Sequence, residues 1–253
     1  MIFMDKDNFQ ILKARIYDMI NLSEKNYMPV YSDFLDEKQV CLAVKEFNQS
    51  GFKNYFFFGG YENAQRKILC VHPDYLIPEP QDFPLSIIQF SYRTADKLTH
   101  RDFLGAVMSC RIKREKVGDI LVSDGLSQII VCNSVSRCIL NEISKVGRVG
   151  VKVSLTDKCT AVPVQKYHDI RGTVASMRLD CILSLAVGKS REKAVQIIKK
   201  DGVDVNFSAV FSPSATLNEN DVFSVRKFGK FILREISGIS AKGRYHITIQ
   251  KFI

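Results

Sequence analysis

The 253-residue chain has no run of about 18 apolar residues, so no segment of it reads as a membrane-spanning helix. It has no GxGxxG stretch, which removes the glycine-rich strand-to-helix turn that a methyltransferase would need. No CxxC pair occurs either. Seven cysteines, at 41, 70, 110, 132, 138, 159 and 181, are odd in number and scattered, and read as reduced, mostly buried thiols. The four histidines, His72, His100, His168 and His246, do not stand at metal-ligand spacing from one another. Each reads as structural or solvated, and neither a metal nor a cofactor is implied. The start, MIFMDKDNFQ, carries acids where a secretory signal needs a basic region and an apolar core, so the expected location is the cytoplasm.

What the chain does have is positive charge. Lys plus Arg number 36 against 27 Asp plus Glu, a formal +9, which permits a polyanionic partner without requiring one. Residues 1–175 hold 23 basic and 20 acidic side chains, whereas residues 176–253 hold 13 and 7, so two thirds of the excess lies in the last third of the chain. Hydrophobic residues make up 46% and charged residues 25%, values of a globular chain rather than a disordered one.

Hydrophobic periodicity and turn residues predict an α+β protein in three parts. Residues 1–80 read as a small N-terminal α/β domain. Phe9, Leu12, Ile16, Met19 and Ile20 recur at helical spacing over 6–22, and a second helix is expected over about 35–48. Tyr55–Phe58 reads as a strand entering the Gly59-Gly60 turn, with 67–71 as its partner. Four of the seven prolines fall within 73–84, marking an extended connector. Residues 81–165 then read as βαββαβ, a ferredoxin-like (RRM-like) middle domain. Its third strand, 127–132, lacks the stacking aromatics of an RNA-recognition sheet, so this part is expected to serve as a scaffold or docking domain. Its basic loop, with Arg111, Lys113, Arg114 and Lys116, is open between contact with RNA or a ribosomal protein and simple solvation. Arg66, beside the double glycine, is open between a fold-fixing ion pair and partner contact.

Residues 174–253 carry the chemistry. A helix over 176–187 ends at Gly188, and Ser190 can cap a second that ends at Gly202. Three residues, Gly188-Lys189-Ser190, join them, so they must pack as a tight hairpin; Arg191, Lys193 and Lys200 lie off the apolar stripe, with Arg178 at the start of the first helix and Lys199 beside Lys200. Short β segments follow at 203–207, 222–225, 231–233 and 245–249, with Arg226, Lys227, Lys230, Lys242 and Arg244 between them.

The run SMRLDCILSLAVGKSREKAVQIIKKDGVDVNF (176–207) resembles the helix-turn-helix-strand core (αL motif) of the RNA-binding domain named after small-subunit ribosomal protein S-four. The matching positions are Arg178-Leu179-Asp180, Lys189-Ser190-Arg191, Ala194, Ile198, Gly202, Val205 and Asn206. The family's usual Gly after that Asn is Phe207 here. Gly59-Gly60-Tyr61 with Ala64 and Arg66, LTHRDFLGAVMSCRIKREKVGDILV (98–122), RKFGKF (226–231) and AKGR (241–244) resemble signatures of the YlmH family. That resemblance implies a cytoplasmic RNA-binding factor on the large ribosomal subunit, and a monomer is expected. Its expected partners are ribosomal RNA, tRNA and ribosomal proteins, in quality control of stalled peptidyl-tRNA complexes.

In that setting Arg178 and Arg191 suit forked phosphate contacts, and the lysines act as adaptable point charges. Ser190-Arg191 adds the positive end of a helix. Asp180 fits orienting an arginine or capping better than touching RNA. Asn206 is open between a base edge or 2′-hydroxyl and a turn role. MRLD echoes the catalytic motif of pseudouridine synthases, but Asp180 lies inside an amphipathic helix; VGKSREK is a superficial echo of a tyrosyl-tRNA synthetase loop. No catalytic residue is identified. The alternatives are a cell-division-linked interaction protein and an RNA-modifying enzyme with an unrecognised N-terminal catalytic unit.

Overall fold

The computed structural model describes residues 3–160, 167–240 and 243–252. The chain mixes six helices with antiparallel sheets among these residues, an α+β protein, and divides into two compact units at residues 163/164.

In the first unit, α1 (Phe3–Asn26) and α2 (Glu37–Ser50) flank β1 (Val30–Leu35), β2 (Tyr55–Phe58) and β3 (Lys67–Val71), an antiparallel sheet of order β1-β3-β2. Asp36 caps α2, accepting from the Gln39 N–H at 2.8 Å while Gln39 Oε1 accepts from the Asp36 N–H at 2.9 Å. Gly51, at φ 72°, ends the helix in the left-handed conformation. The strand β1 is not among the expected elements; its polar Ser32-Asp33 hides the alternation that would have announced it.

A second sheet follows: β4 (Leu85–Ser91), α3 (His100–Ser109), β5 (Val117–Ser123), β6 (Leu126–Cys132), α4 (Asn133–Glu142) and β9 (Lys152–Thr156), in order β5-β6-β4-β9. A two-residue hairpin, β7 (Lys145–Val146) with β8 (Val149–Gly150), precedes β9, so the expected last strand at 149–155 is split in two. The two sheets share a core. Phe34, Ile68 and Cys70 from the first pack with Phe83, Ile87, Leu121, Ile130 and Cys132. Phe83, at the end of the proline-rich stretch, is 3% exposed, so this connector is anchored by burial.

The second unit is a six-stranded antiparallel sheet covered on one face by two helices. Its strands are β10 (Tyr167–Val174), β11 (Val203–Val205), β12 (Ser208–Val210), β13 (Val222–Val225), β14 (Gly229–Ile239) and β15 (Tyr245–Phe252), in order β10-β15-β14-β13-β11-β12. The helices are α5 (Leu179–Val187) and α6 (Arg191–Asp201). Leu179, Ile182, Leu183, Ala194 and Ile198 close over Phe223, Phe231, Leu233 and Ile249, all fully buried or nearly so. β10, like the short β7 and β12, is not among the expected strands. Its polar sequence, YHDIRGTV, acquires strand form through eight registered pairs with β15.

Candidate nucleic-acid interface

Local chemistry sets the α5–α6 hairpin. Gly188, at φ 62°, ends α5 in the conformation that glycine adopts without steric penalty. Ser190 Oγ accepts from the Lys193 N–H at 3.3 Å and so caps α6. The first N–H groups of α5 are already satisfied: Leu179 donates to the Ala215 carbonyl at 2.7 Å and Asp180 to that of Pro213 at 3.1 Å. The start of α6, with Lys189, Arg191 and Lys193 exposed around it, is therefore the helix start of this hairpin that remains open to solvent.

At its centre Asp180 is 1% exposed and draws two arginines together. Arg178 Nε donates to Oδ1 at 3.1 Å and Nη2 to Oδ2 at 3.2 Å. Arg191 Nε donates to Oδ2 at 2.9 Å, and the Cys181 N–H donates to Oδ1 at 3.0 Å. Burial by itself would push the Asp180 carboxyl up, but hydrogen bonds and charge from Arg178 and Arg191 outweigh it and hold it below the usual carboxylate range. The guanidiniums keep their outer edges in solvent, with 43% of the Arg178 and 54% of the Arg191 side chain exposed. Two forked donors thus stand side by side, aimed by a buried anion.

The other expected residues divide by place. Lys189 and Lys193 are exposed at the same end of α6. Lys199 and Lys200 are exposed at its far end, roughly 13 Å along the axis at ~1.5 Å per residue, so the helix carries two basic ends. Arg226 and Lys227 are exposed in the β13–β14 turn, and the Lys230 ammonium lies over aromatic rings. Arg244 donates to Thr173 Oγ1 at 3.2 Å and to the Thr173 carbonyl at 2.8 Å, tying β15 to β10. Lys242 lies outside the described residues. Asn206 takes the turn role: at φ 46° its Nδ2 donates to Asp221 Oδ1 at 2.7 Å, and its Oδ1 accepts from the Val222 N–H at 3.0 Å.

In the first unit Arg66 fixes the fold, through carbonyls rather than an ion pair. Its Nε donates to the Val117 carbonyl at 2.9 Å and its Nη2 to that of Phe34 at 3.2 Å. Asp119 completes the corner, accepting from Tyr61 Oη at 2.9 Å and from the Gln65 and Arg66 N–H groups at 2.7 and 3.1 Å. Of the basic loop, Arg114 donates to the Val117 and Gly118 carbonyls and Lys116 pairs with Asp33, while Arg111 and Lys113 point into solvent. A second basic patch escaped the sequence reading: Lys145, Arg148 and Lys152, exposed on the β7–β8 hairpin and edge strand β9. Its only sequence signal is the repeated basic-glycine pattern of KVGRVGVK.

Three likenesses accompany this geometry. A family profile described as "Putative RNA-binding domain in YlmH" matches residues 78–159, the part whose sequence suggests scaffolding. "Ribosome-associated protein quality control protein P2" of Bacillus subtilis (strain 168) is 33% identical over 235 residues, 90% of this chain and 89% of that protein. Among solved structures, "Cell division protein ylmH from Streptococcus pneumoniae" matches with a TM-score of 0.50 and 25% identity, over 58% of this chain and 90% of that one. With a relative this similar along nearly its whole length, and with the YlmH signatures at 59–66 and 98–122 placed in one network around Asp119, the chain belongs to the YlmH family.

Proposed function

We propose that this chain is a non-enzymatic, cytoplasmic RNA-binding factor of the large ribosomal subunit. It acts as a monomer on ribosomal RNA and tRNA in the quality control of stalled peptidyl-tRNA complexes. The observation that carries the reading is the Arg178–Asp180–Arg191 cluster at the solvent-facing start of α6. A buried carboxylate that orients two half-exposed guanidiniums is a phosphate clamp, and the exposed lysines beside it add charge without fixed geometry. The name of the Bacillus relative and the RNA-binding description of residues 78–159 support a ribosomal partner. In this reading residues 174–253 act as an S-four-type domain. Residues 81–165 act as a ferredoxin-like part, to which the strand order β5-β6-β4-β9 corresponds, and 1–80 as a small α/β part. Arg111, Lys113 and the Lys145–Lys152 patch offer the middle part its own RNA contacts.

Co-sedimentation with large subunits tests the assigned face. Replacing Arg178 and Arg191 strips a buried carboxylate of its partners, so the cleaner variant is Lys189→Ala with Lys193→Ala, both exposed. The affinity should fall, and the log–log salt dependence should flatten by about one unit per lost phosphate contact. Unchanged sedimentation and salt slope in this variant, and again with Arg178 and Arg191 both replaced, would remove α6 from the interface. A second reading, an interaction role in cell division, draws on the name of the Streptococcus relative. It expects a chain lacking residues 176–253 to complement a division phenotype fully.

A further inference from the structure

The face of the C-terminal sheet opposite α5 and α6 carries aromatic rings that the core does not use. Tyr167 pairs with Phe252 across β10 and β15. Phe231 pairs with Lys251 across β14 and β15, which sets Lys230 beside Phe252; Lys230 in turn pairs with Ser224, and Ser224 with Asp204. Registered neighbours share a face. The alternate positions Phe223, Phe231 and Ile249 are at most 1% exposed on the helix side, so the row Tyr167, Phe252, Lys230, Ser224, Asp204 occupies the other.

Within that row the Lys230 ammonium stands between two rings, 5.2 Å from the centroid of Phe252 and 5.6 Å from that of Phe207. Tyr167 meets Phe252 edge to face at 5.1 Å and is 43% exposed. None of the three rings packs against the hydrophobic cluster of this unit.

Phe207 adds an independent observation. It follows Asn206 at the tip of the β11–β12 hairpin with φ 62°, a left-handed conformation that glycine enters freely and a bulky residue does not. A ring kept in a strained position, outside the core and against a lysine, is there for something other than stability.

We propose that this face is a stacking platform for unpaired bases of single-stranded RNA, a second contact that rests on the RNA-binding reading and extends it beyond phosphate clamping. Every base offers a π-face to an aromatic ring, and every nucleotide offers a phosphate to the ammonium between the rings. Asp204, exposed at the far end of the row, disfavours phosphate there, so the RNA backbone would run at the Lys230 end. An apolar peptide would match the rings but not the ammonium, nor the net positive charge of residues 176–253.

The test uses the full-length protein, a labelled single-stranded RNA 10-mer and a labelled RNA hairpin, with affinity read by fluorescence anisotropy. Phe207→Gly is the informative variant, because it removes the ring and relieves the backbone, so the thermal midpoint should stay or rise. Its affinity for the single strand should fall about tenfold, the effect of losing one stacked base, with hairpin affinity changed less than twofold. Phe252→Ala added to it should deepen the loss, and Phe207→Tyr should restore wild-type binding. Single-strand affinity unchanged in Phe207→Gly and Tyr167→Ala overturns the platform. A wild type that binds the hairpin but not the single strand overturns it too, and leaves the RNA-binding reading intact. Ring variants that bind naked RNA normally yet lose ribosomal subunits would assign the face to a protein and likewise overturn it. A wild type that binds neither RNA removes both readings together.

Discussion

Replacing Asp180 by Asn keeps the shape of the buried side chain and removes its charge. The carboxylate now accepts from Arg178 Nε and Nη2, Arg191 Nε and the Cys181 N–H, at 2.9 to 3.2 Å. An amide keeps one acceptor oxygen and turns the other into two donors facing guanidinium N–H groups. At least one arginine then loses its buried acceptor. A hydrogen bond to a charged group contributes roughly 1.5–3 kcal/mol. Both guanidiniums can swing into water, which favours the low end, about 2 kcal/mol for the whole exchange. In a unit of about this size each kcal/mol moves the midpoint by about 4–8 °C, so calorimetry of the full-length protein at pH 7 should show the 164–253 transition falling by about 10 °C. The pH dependence supplies the sign. A carboxyl held below its ordinary value of 3.8 contributes stability that is complete above that value and is lost as pH falls through the lower folded-state value. The amide has no such contribution to lose, so the gap between the two proteins should close in that acidic window. Equal midpoints at pH 7, or a gap that persists undiminished at pH 2–3, would refute the account of Asp180 as a buried anion orienting two arginines.

Three further expectations concern the first unit. An ideal Cβ on Gly59 would lie 2.3 Å from the Arg66 carbonyl oxygen and 2.5 Å from Ala64 Cβ. Gly59→Ala should therefore destabilise by about 1–3 kcal/mol in urea unfolding, whereas Gly105→Ala, with open space around it in α3, should stabilise by about 0.5–1 kcal/mol. Arg66→Lys retains the charge but cannot reach the Val117 and Phe34 carbonyls together, and should cost about 1–2 kcal/mol in the same assay. Full retention of stability in Arg66→Lys would leave the residue to a partner.

Much of the fold is legible because its punctuation is local. Gly188 ends α5 and Ser190 opens α6 through the conformation and the hydroxyl that those residues themselves possess. Strands 55–58, 67–71 and 222–225 appear as expected, since an apolar run bounded by turn residues needs no distant information. The strands β1 and β10 do need it: their polar sequences are extended because β3 and β15 present edges for them to pair with.

The site divides in the same way. Composition places the charge in the last third of the chain, and helical spacing puts Arg178, Lys189, Arg191 and Lys193 on solvent-facing positions, because charge and periodicity are properties of the chain itself. Packing decides what each cation is doing. Only the approach of α6 to α5 brings Arg191 onto an aspartate eleven residues away, only the β10–β15 pairing takes Arg244 into the fold, and only strand register sets Tyr167, Phe252 and Lys230 on one face, where the turn residue Phe207 meets the lysine. Such contacts join residues that no local pattern relates, so they exist once the sheet and the helix pair have closed and not before.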